Sequence, residues 1–208
     1  MSRGFDSLTA CLRSLNIRCY PGFLDYNELD GGAMMNSCAI TVRKFDVAEF
    51  SAYRRLRLLA LEESPDAFGS TLGAEQPRTD EEWASRLQVG CNSGLDLPLI
   101  GQVGTTAAGL AWGKVDRSDC TIVHLYQMWV APEFRDRGVA RLLLRTIVAW
   151  VASLQARSIH LGVICGESPA MRLYVSEGFV PFGQVEPLRS GSVLLSQSMR
   201  FQIPNAAV

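Results

Sequence analysis

Arg135, Asp136, Arg137, Gly138, Val139 and Ala140 run together as R-D-R-G-V-A, and Arg141 follows directly. They lie between a stretch that reads as a strand and one that reads as a helix. The first turn of a helix carries unpaired N–H groups and a partial positive charge, so stability alone favours acids there rather than arginines. A bound pyrophosphate resolves the conflict. Gly138 lets the backbone come close to a ligand, small Ala140 keeps the next turn uncrowded, and successive N–H groups at the helix pole make an anion cradle with the arginines as countercharges. Arg137, Arg141 and Arg145, at i, i+4 and i+8, equally describe the solvated face of an amphipathic helix, with repulsion of about a few tenths of a kcal/mol per pair. The chain has no GxxxxGK[ST] and no GxGxxG after a first strand, so the two commoner phosphate loops are excluded.

The elements that must position this loop can be read from periodicity. Strand-like runs rich in β-formers occur at "PLIGQVG", "AAGLAWGKVD" and "TIVHLYQMWV", most simply as antiparallel neighbours. The last of these leads through "APEFRD" into a helix from about Gly138 to Ala156, then into the strand "SIHLGVIC". Val139, Leu142, Leu143, Ile147, Trp150 and Leu154 form that helix's apolar stripe. A strand, crossover helix and strand imply that the two strands run parallel. Upstream, Asp46 with Glu49 and Thr79 with Glu82 are capping boxes opening two helices, with Phe50, Tyr53, Leu56 and Ala60 on the buried face of the first and Trp83 and Leu87 on that of the second. The link "SPDAFGSTLGAEQPR" reads as a long surface segment of the kind that carries ligand contacts. A short helix "SPAMRLYVSE", ended by Gly178, and strands "FVPFGQV" and "SVLLSQSMRF" complete an α/β pattern with a mixed sheet.

A chain of 208 residues, 48% hydrophobic and with a formal charge of −1, is large enough for one globular core and offers no global attraction to nucleic acid or membrane. Cys11, Cys19, Cys38, Cys91, Cys120 and Cys165 form no CxxC and have no histidine at ligand spacing, so neither a metal site nor a redox motif is suggested. There is no secretory leader pattern, and the apolar run "LLLRTIVAWVASL" is broken by Arg145 and too short for a bilayer, which points to the cytoplasm. Residues 1–37 carry no sustained period and read as an extension that is poorly ordered, Met34 and Met35 offering an alternative start; 38–203 read as the domain and 204–208 as a tail.

Two separated motifs then coincide. Arg135, Gly138 and Ala140 after "MWVAPEF" fit Q/R-x-x-G-x-G/A, and Ala170, Leu173, Tyr174, Gly178 and Phe179 fit A-x-x-L-Y-x-x-x-G-F. In this order, about 30 residues apart, they make the chain resemble the GNAT family of acyl-CoA-dependent N-acyltransferases from about residue 39 to 203. "YRRLRLLALEESPDAFGST" is similar to the first helix and loop of one subgroup. The resemblance implies a mixed, mostly antiparallel twisted sheet with a parallel central splay, flanked by about four helices. It implies acetyl-CoA as acyl donor, no metal, and direct attack by a primary amine in a ternary complex. Homodimers are common in the family.

Carried onto this chain, the main chain of Met128, Trp129 and Val130 would bind the pantetheine arm, with the Met128 N–H aimed at the thioester carbonyl, where an oriented donor in a dry site is worth several kcal/mol, about 3–4. Arg135, Asp136, Arg137, Gly138, Val139, Ala140 and Arg141 would hold the pyrophosphate, with Glu167, Ala170 and Tyr174 also near the cofactor. Tyr174 matches the tyrosine that protonates the leaving thiolate, although the same residue could be a packing tyrosine. His124 falls where several relatives carry a glutamate base, and histidine as a residue type, with an unperturbed pKa of about 6.5, suits that task; a strand histidine can equally be packed and hydrogen-bonded. Period-2 alternation puts His124, Tyr126, Met128 and Val130 on one face. Glu167 stands where many relatives have Asn; it would repel phosphate, act on the amine, or help cap the following helix. His160 matches no catalytic position and reads as structural, and Cys165 is not expected to be a nucleophile. "SPDAFGSTLGAEQPR" and "PLRSG" border the expected acceptor pocket, with a small-molecule amine favoured. A non-catalytic acyl-CoA-binding regulatory domain and a protein amine acetyltransferase are the alternatives.

Overall fold

A computed structural model of the protein describes residues 39–204. The expected extension at 1–37 and the tail beyond 204 lie outside the described residues. The strands are β1 (Ile40–Lys44), β2 (Asp96–Val103), β3 (Thr106–Val115), β4 (Ile122–Val130), β5 (Ser158–Ile164), β6 (Val180–Pro181), β7 (Glu186–Pro187) and β8 (Leu195–Gln202). The helices are α1 (Phe50–Glu63), α2 (Leu72–Glu75), α3 (Asp80–Asn92), α4 (Val139–Ser153) and α5 (Pro169–Ser176). All strands join one sheet in the order β1-β2-β3-β4-β5-β8-β6, with β7 also on β8. Among the described residues only β4 with β5 is parallel; the other pairs are antiparallel. The α4 crossover explains this, because parallel neighbours need a long connection.

The sheet is covered on both faces. Under α4, Val139, Leu143, Leu144, Ile147 and Val151 pack with Leu97, Leu99, Val123, Ile159 and Met199. On the other face Tyr53, Leu56 and Leu61 of α1 and Trp83 and Leu87 of α3 pack with Ile100, Leu110, Trp112 and Trp129. The α4 stripe is rotated slightly from the sequence reading: Leu144 and Val151 are buried and Leu142 is half-buried. Trp150 lies at the edge of the contact, where its ring fills the space over Gly113.

Both capping boxes form as their sequences require. Asp46 accepts from the Ala48 N–H while Glu49 accepts from the Asp46 N–H at 2.8 Å, opening a 3-10 turn that runs into α1. Thr79 and Glu82 do the same for α3. The segment between them departs from the expected surface link. It folds into a 3-10 turn at Pro65–Ala67 and the single helical turn α2, burying Phe68 and Glu75. The cause is Arg57 on α1, which is 2% exposed and needs a countercharge. Glu75 supplies it at 3.1 Å and also meets Arg86 of α3 at 3.0 Å, so one carboxylate ties three helices together.

Candidate active site

β4 and β5 pair only at Ile122↔Ser158, Val123↔Ile159 and His124↔His160. Beyond His124 the two strands part. A bulge in β4 accompanies the separation: its partner register on β3 jumps from Trp112↔Tyr126 to Leu110↔Trp129, and Gln127 takes a positive φ of 55°. Tyr53 holds the bulge by donating its hydroxyl to Gln127 Oε1 at 3.0 Å. An extra residue bends a strand and resets its alternation. Val123 and Leu125 lie in the core beneath α4, as do Val130 and, in part, Met128, whereas Trp129 lies in the opposite core. The expected single face for His124, Tyr126, Met128 and Val130 is therefore corrected: the bulge puts His124 and Tyr126 on the face away from α4 and the other two towards it.

The main chain after the bulge is well placed. The Ala131 N–H donates to the Ala108 carbonyl on β3 at 2.8 Å. Because main-chain directions alternate along a strand, Met128 and Val130 turn their N–H groups the other way, into the gap.

The loop after β4 passes through a 3-10 turn, Pro132–Phe134, and reaches α4 at Gly138. Asp136 and Gly138 have φ of 59° and 93°, and residues 135–138 are exposed. Gly138 is the N-cap of α4 without a side-chain cap, and the first turn holds no acid, so its N–H groups are open. A Cβ on Gly138 would meet nothing within 4 Å. Glycine is needed here for the backbone angle, and the space before the helix pole stays clear. Val139 is buried and Ala140 packs against the same core, which fixes the helix start behind the loop.

The arginines take three different positions. Arg135 pairs with Glu63 at the end of α1 at 2.5 Å, and its Nε donates to the Val130 carbonyl at 3.1 Å. Arg141 and Arg145 both meet Glu177, each at 2.9 Å, so their mutual repulsion is answered by one carboxylate from the end of α5. Hydrogen bonding to Arg145 leads the effects that hold the Glu177 carboxyl below its ordinary range. Arg137 lies over the Phe134 ring at 5.6 Å from its centroid and has no carboxylate partner among the described residues. Cations near the helix pole are thus tolerated partly through ion pairs within the fold, and Arg137 remains on the rim.

The gap opens into a cavity of about 1260 Å³. Tyr126, Gln127 and Met128 line it from β4 and Tyr174 from α5; Arg57, Phe68, Ser70, Glu75 and Arg86 line it from the other helices and their links, and Leu188 lies at one edge. The two segments expected to border the acceptor meet here, because Arg189 donates to the Pro65 and Phe68 carbonyls at 3.0 and 2.9 Å. Tyr174 packs on Phe179 at 5.6 Å between centroids, and burial pushes its phenol above the ordinary range. Its hydroxyl makes no hydrogen bond among the described residues.

His124 is half-buried and does not line this cavity; it stands where β4 and β5 are still paired, with Nε2 at 2.9 Å from Asp116 Oδ2. Its ring stacks on Tyr126 at 5.7 Å and meets His160 edge-on at 5.8 Å. His160 is held by Ser158 at 3.2 Å and packs on Phe182, and burial lowers its pKa. Glu167 and Ala170 are exposed, and the helix cap that Glu167 was considered for is made by Ser168, which accepts from the Met171 N–H. Cys165 is an exposed free thiol on the strand end after β5.

Glu63, Gln127 and the Arg57–Glu75–Arg86 cluster were not singled out from sequence. Glu63 also accepts from the Trp129 indole N–H at 2.9 Å, a contact across 66 positions that no local pattern signals. Among the described residues no group of three or more His, Cys, Asp or Glu is placed to hold a metal ion, and no helix is long and apolar enough to cross a membrane.

Comparison with known proteins follows the same geometry. Residues 58–179, well over half of the chain, match the acetyltransferase (GNAT) family. Among solved structures, an acetyltransferase of that family from Streptococcus pneumoniae superposes with a TM-score of 0.67 at 21% identity, covering 79% of this chain and 99% of its own. The yncA protein of Salmonella typhimurium, solved with its cofactor acetyl-CoA, gives a TM-score of 0.67 at 19% identity over 82% of this chain and 97% of its own. Spermidine N-acetyltransferase from Vibrio cholerae, in complex with CoA and spermine, gives 0.62 at 16% identity over 78% and 95%. A search of curated proteins finds no match.

Proposed function

The chain belongs to the GNAT acetyltransferase family, and from its own geometry we propose that it transfers the acetyl group of acetyl-CoA to a primary amine on a small molecule, by direct attack within a ternary complex. The observation that carries this reading is the parting of β4 from β5 beside the uncapped, acid-free N-terminus of α4. An extended arm can lie in that gap against the Met128 and Val130 main chain, and a pyrophosphate can rest at the helix pole. The clear space before Gly138 fits such a group. Acetyl-CoA supplies the activated acyl carbon; the rest of the chemistry falls to the protein.

The Met128 N–H polarises the acyl carbonyl, a fixed donor aimed where negative charge develops. Tyr174, at the cavity wall, keeps its proton because burial disfavours the phenolate, and delivers it to the leaving sulfur. His124, oriented by Asp116, takes the amine proton. Its place behind Tyr126 requires a bridging water. Arg137 and the α4 N–H groups bind the pyrophosphate, while Arg135 and Arg141 act through their ion pairs to keep the loop in shape. Met128 and Tyr174 beside the gap and Arg57, Phe68 and Glu75 of the helical wall line one cavity, which suits two substrates bound together and so a near-unimolecular transfer.

Calorimetric titration with acetyl-CoA, followed by thiol release with a panel of amines, tests the reading. Micromolar binding with amine-dependent release is expected. Binding without release above background would make the chain a non-catalytic acyl-CoA-binding domain, and no binding at millimolar ligand would remove the cofactor assignment.

A further inference from the structure

Glu63 is the last residue of α1, far in sequence from the cofactor loop, yet two groups of that region converge on its Oε2 atom. The Trp129 indole donates to it at 2.9 Å and the Arg135 guanidinium at 2.5 Å. Ser64 donates to the same oxygen. Arg135 in turn fixes the Val130 carbonyl through Nε at 3.1 Å. Trp129 is the residue between Met128 and Val130, and it is 7% exposed. One carboxylate therefore grips the side chain at the centre of the proposed pantetheine-binding stretch and, through Arg135, both a peptide group of that stretch and the bend that leads to α4.

We propose that Glu63 is a positioning residue for the cofactor cradle, locking the Met128–Val130 main chain and the Arg135 bend into one rigid unit. This rests on the functional reading above. An isolated surface ion pair contributes little, because solvent screens it and two flexible chains must be ordered. This arrangement differs in that the acceptor is shared: the indole is already fixed in the core, so the carboxylate loses little freedom in binding Arg135 as well. Glu63 also stands two residues before the turn Pro65–Ala67, and Ala67 and Phe68 line the cavity, but none of the contacts of Glu63 reaches that wall.

The test is calorimetric titration of the full chain with acetyl-CoA, for the wild type and for Glu63→Ala, Glu63→Gln, Arg135→Ala and Glu63→Ala/Arg135→Ala, with thermal melting beside each. If Glu63 positions the cradle, Glu63→Ala and Arg135→Ala each raise Kd about tenfold, and the double variant is no worse than either, as expected of groups acting as one unit. Glu63→Gln falls between, since it keeps an acceptor for the indole and loses the charge. In turnover assays KM for acetyl-CoA rises with Kd while KM for the amine stays within about twofold. Residues that merely support the fold lower the melting temperature without this split. A wild-type Kd in folded Glu63→Ala, or a double variant additive at about a hundredfold, overturns the proposal while leaving the functional reading intact. Failure of the wild type to bind acetyl-CoA overturns both.

Discussion

Tyr174 and Glu63 illustrate opposite electrostatic settings among single residues. Burial raises the Tyr174 phenol, so it keeps its proton at neutral pH, which is the state that the proposed role as acid needs. Tyr174→Phe is expected to lower kcat by about 10²-fold, the lower end for a lost general acid, with Kd for acetyl-CoA unchanged. An unchanged kcat would remove Tyr174 from the acid role. Burial alone would raise Glu63, but hydrogen bonds from Ser64, Trp129 and Arg135, with the Arg135 charge, prevail and hold it down at about 2. A depressed carboxyl contributes stability above its ordinary range and loses it as pH falls through the folded value. Acetyl-CoA affinity is therefore expected to be flat from about pH 5 to 8 with respect to Glu63, and calorimetry across that range checks it. The helix that carries Tyr174 was legible because its motif is local in sequence. Glu63 was not, because what defines it is the arrival of Trp129 and Arg135 from another part of the fold.

At the level of elements, the helix start at Gly138 and the helix interior at Gly90 use glycine for different reasons. Gly138 has φ of 93°, which strains an L-residue by about 1–2 kcal/mol. Gly138→Glu adds bulk and negative charge to the space before the α4 pole and is expected to abolish acetyl-CoA binding while the melting curve stays cooperative; retained affinity would remove the loop from the cofactor site. Gly90 lies in the last turns of α3, and a Cβ there would stand 2.3 Å from Trp112 Cζ2. That ring cannot yield easily, because its Nε1 donates to Asp96 at 2.8 Å and Tyr53 packs on it. Alanine would gain about 1 kcal/mol of helix propensity, but overpacking a fixed core costs about 1–3 kcal/mol. Gly90→Ala is therefore expected to be destabilised in urea unfolding, and a stabilised variant would mean that the indole moves. Helix starts and the α4 crossover were legible, since capping boxes and apolar periods are local. The β4 bulge was not: the run "HLYQMWV" holds no glycine or proline to mark it, and only pairing with β3 and the Tyr53 hydrogen bond place the extra residue at Gln127.

For the molecule as a whole, the sheet separates two apolar cores, and the β4–β5 gap opens between them at the sheet's centre. The α/β architecture and its parallel pair were legible from the order of strand and helix periods. The helical wall of the cavity was not, because the Arg57–Glu75–Arg86 cluster depends on where α1, α2 and α3 meet. Opening the sheet between β4 and β5 leaves main-chain donors of Met128 and Val130 unpaired by any strand among the described residues, a cost that a bound arm would relieve. The unfolded chain has no such gap, so a ligand that fills it binds the native state alone. At a hundred times its Kd such a ligand adds about 2.7 kcal/mol to the unfolding free energy. For a domain of this size each kcal/mol raises the midpoint by about 2–4 °C. Saturating acetyl-CoA is therefore expected to raise the melting temperature by roughly 5–10 °C in scanning calorimetry, and Gly138→Glu to cancel that shift. A shift that survives in Gly138→Glu would place the ligand away from the α4 pole, and the gap would then lack its proposed occupant.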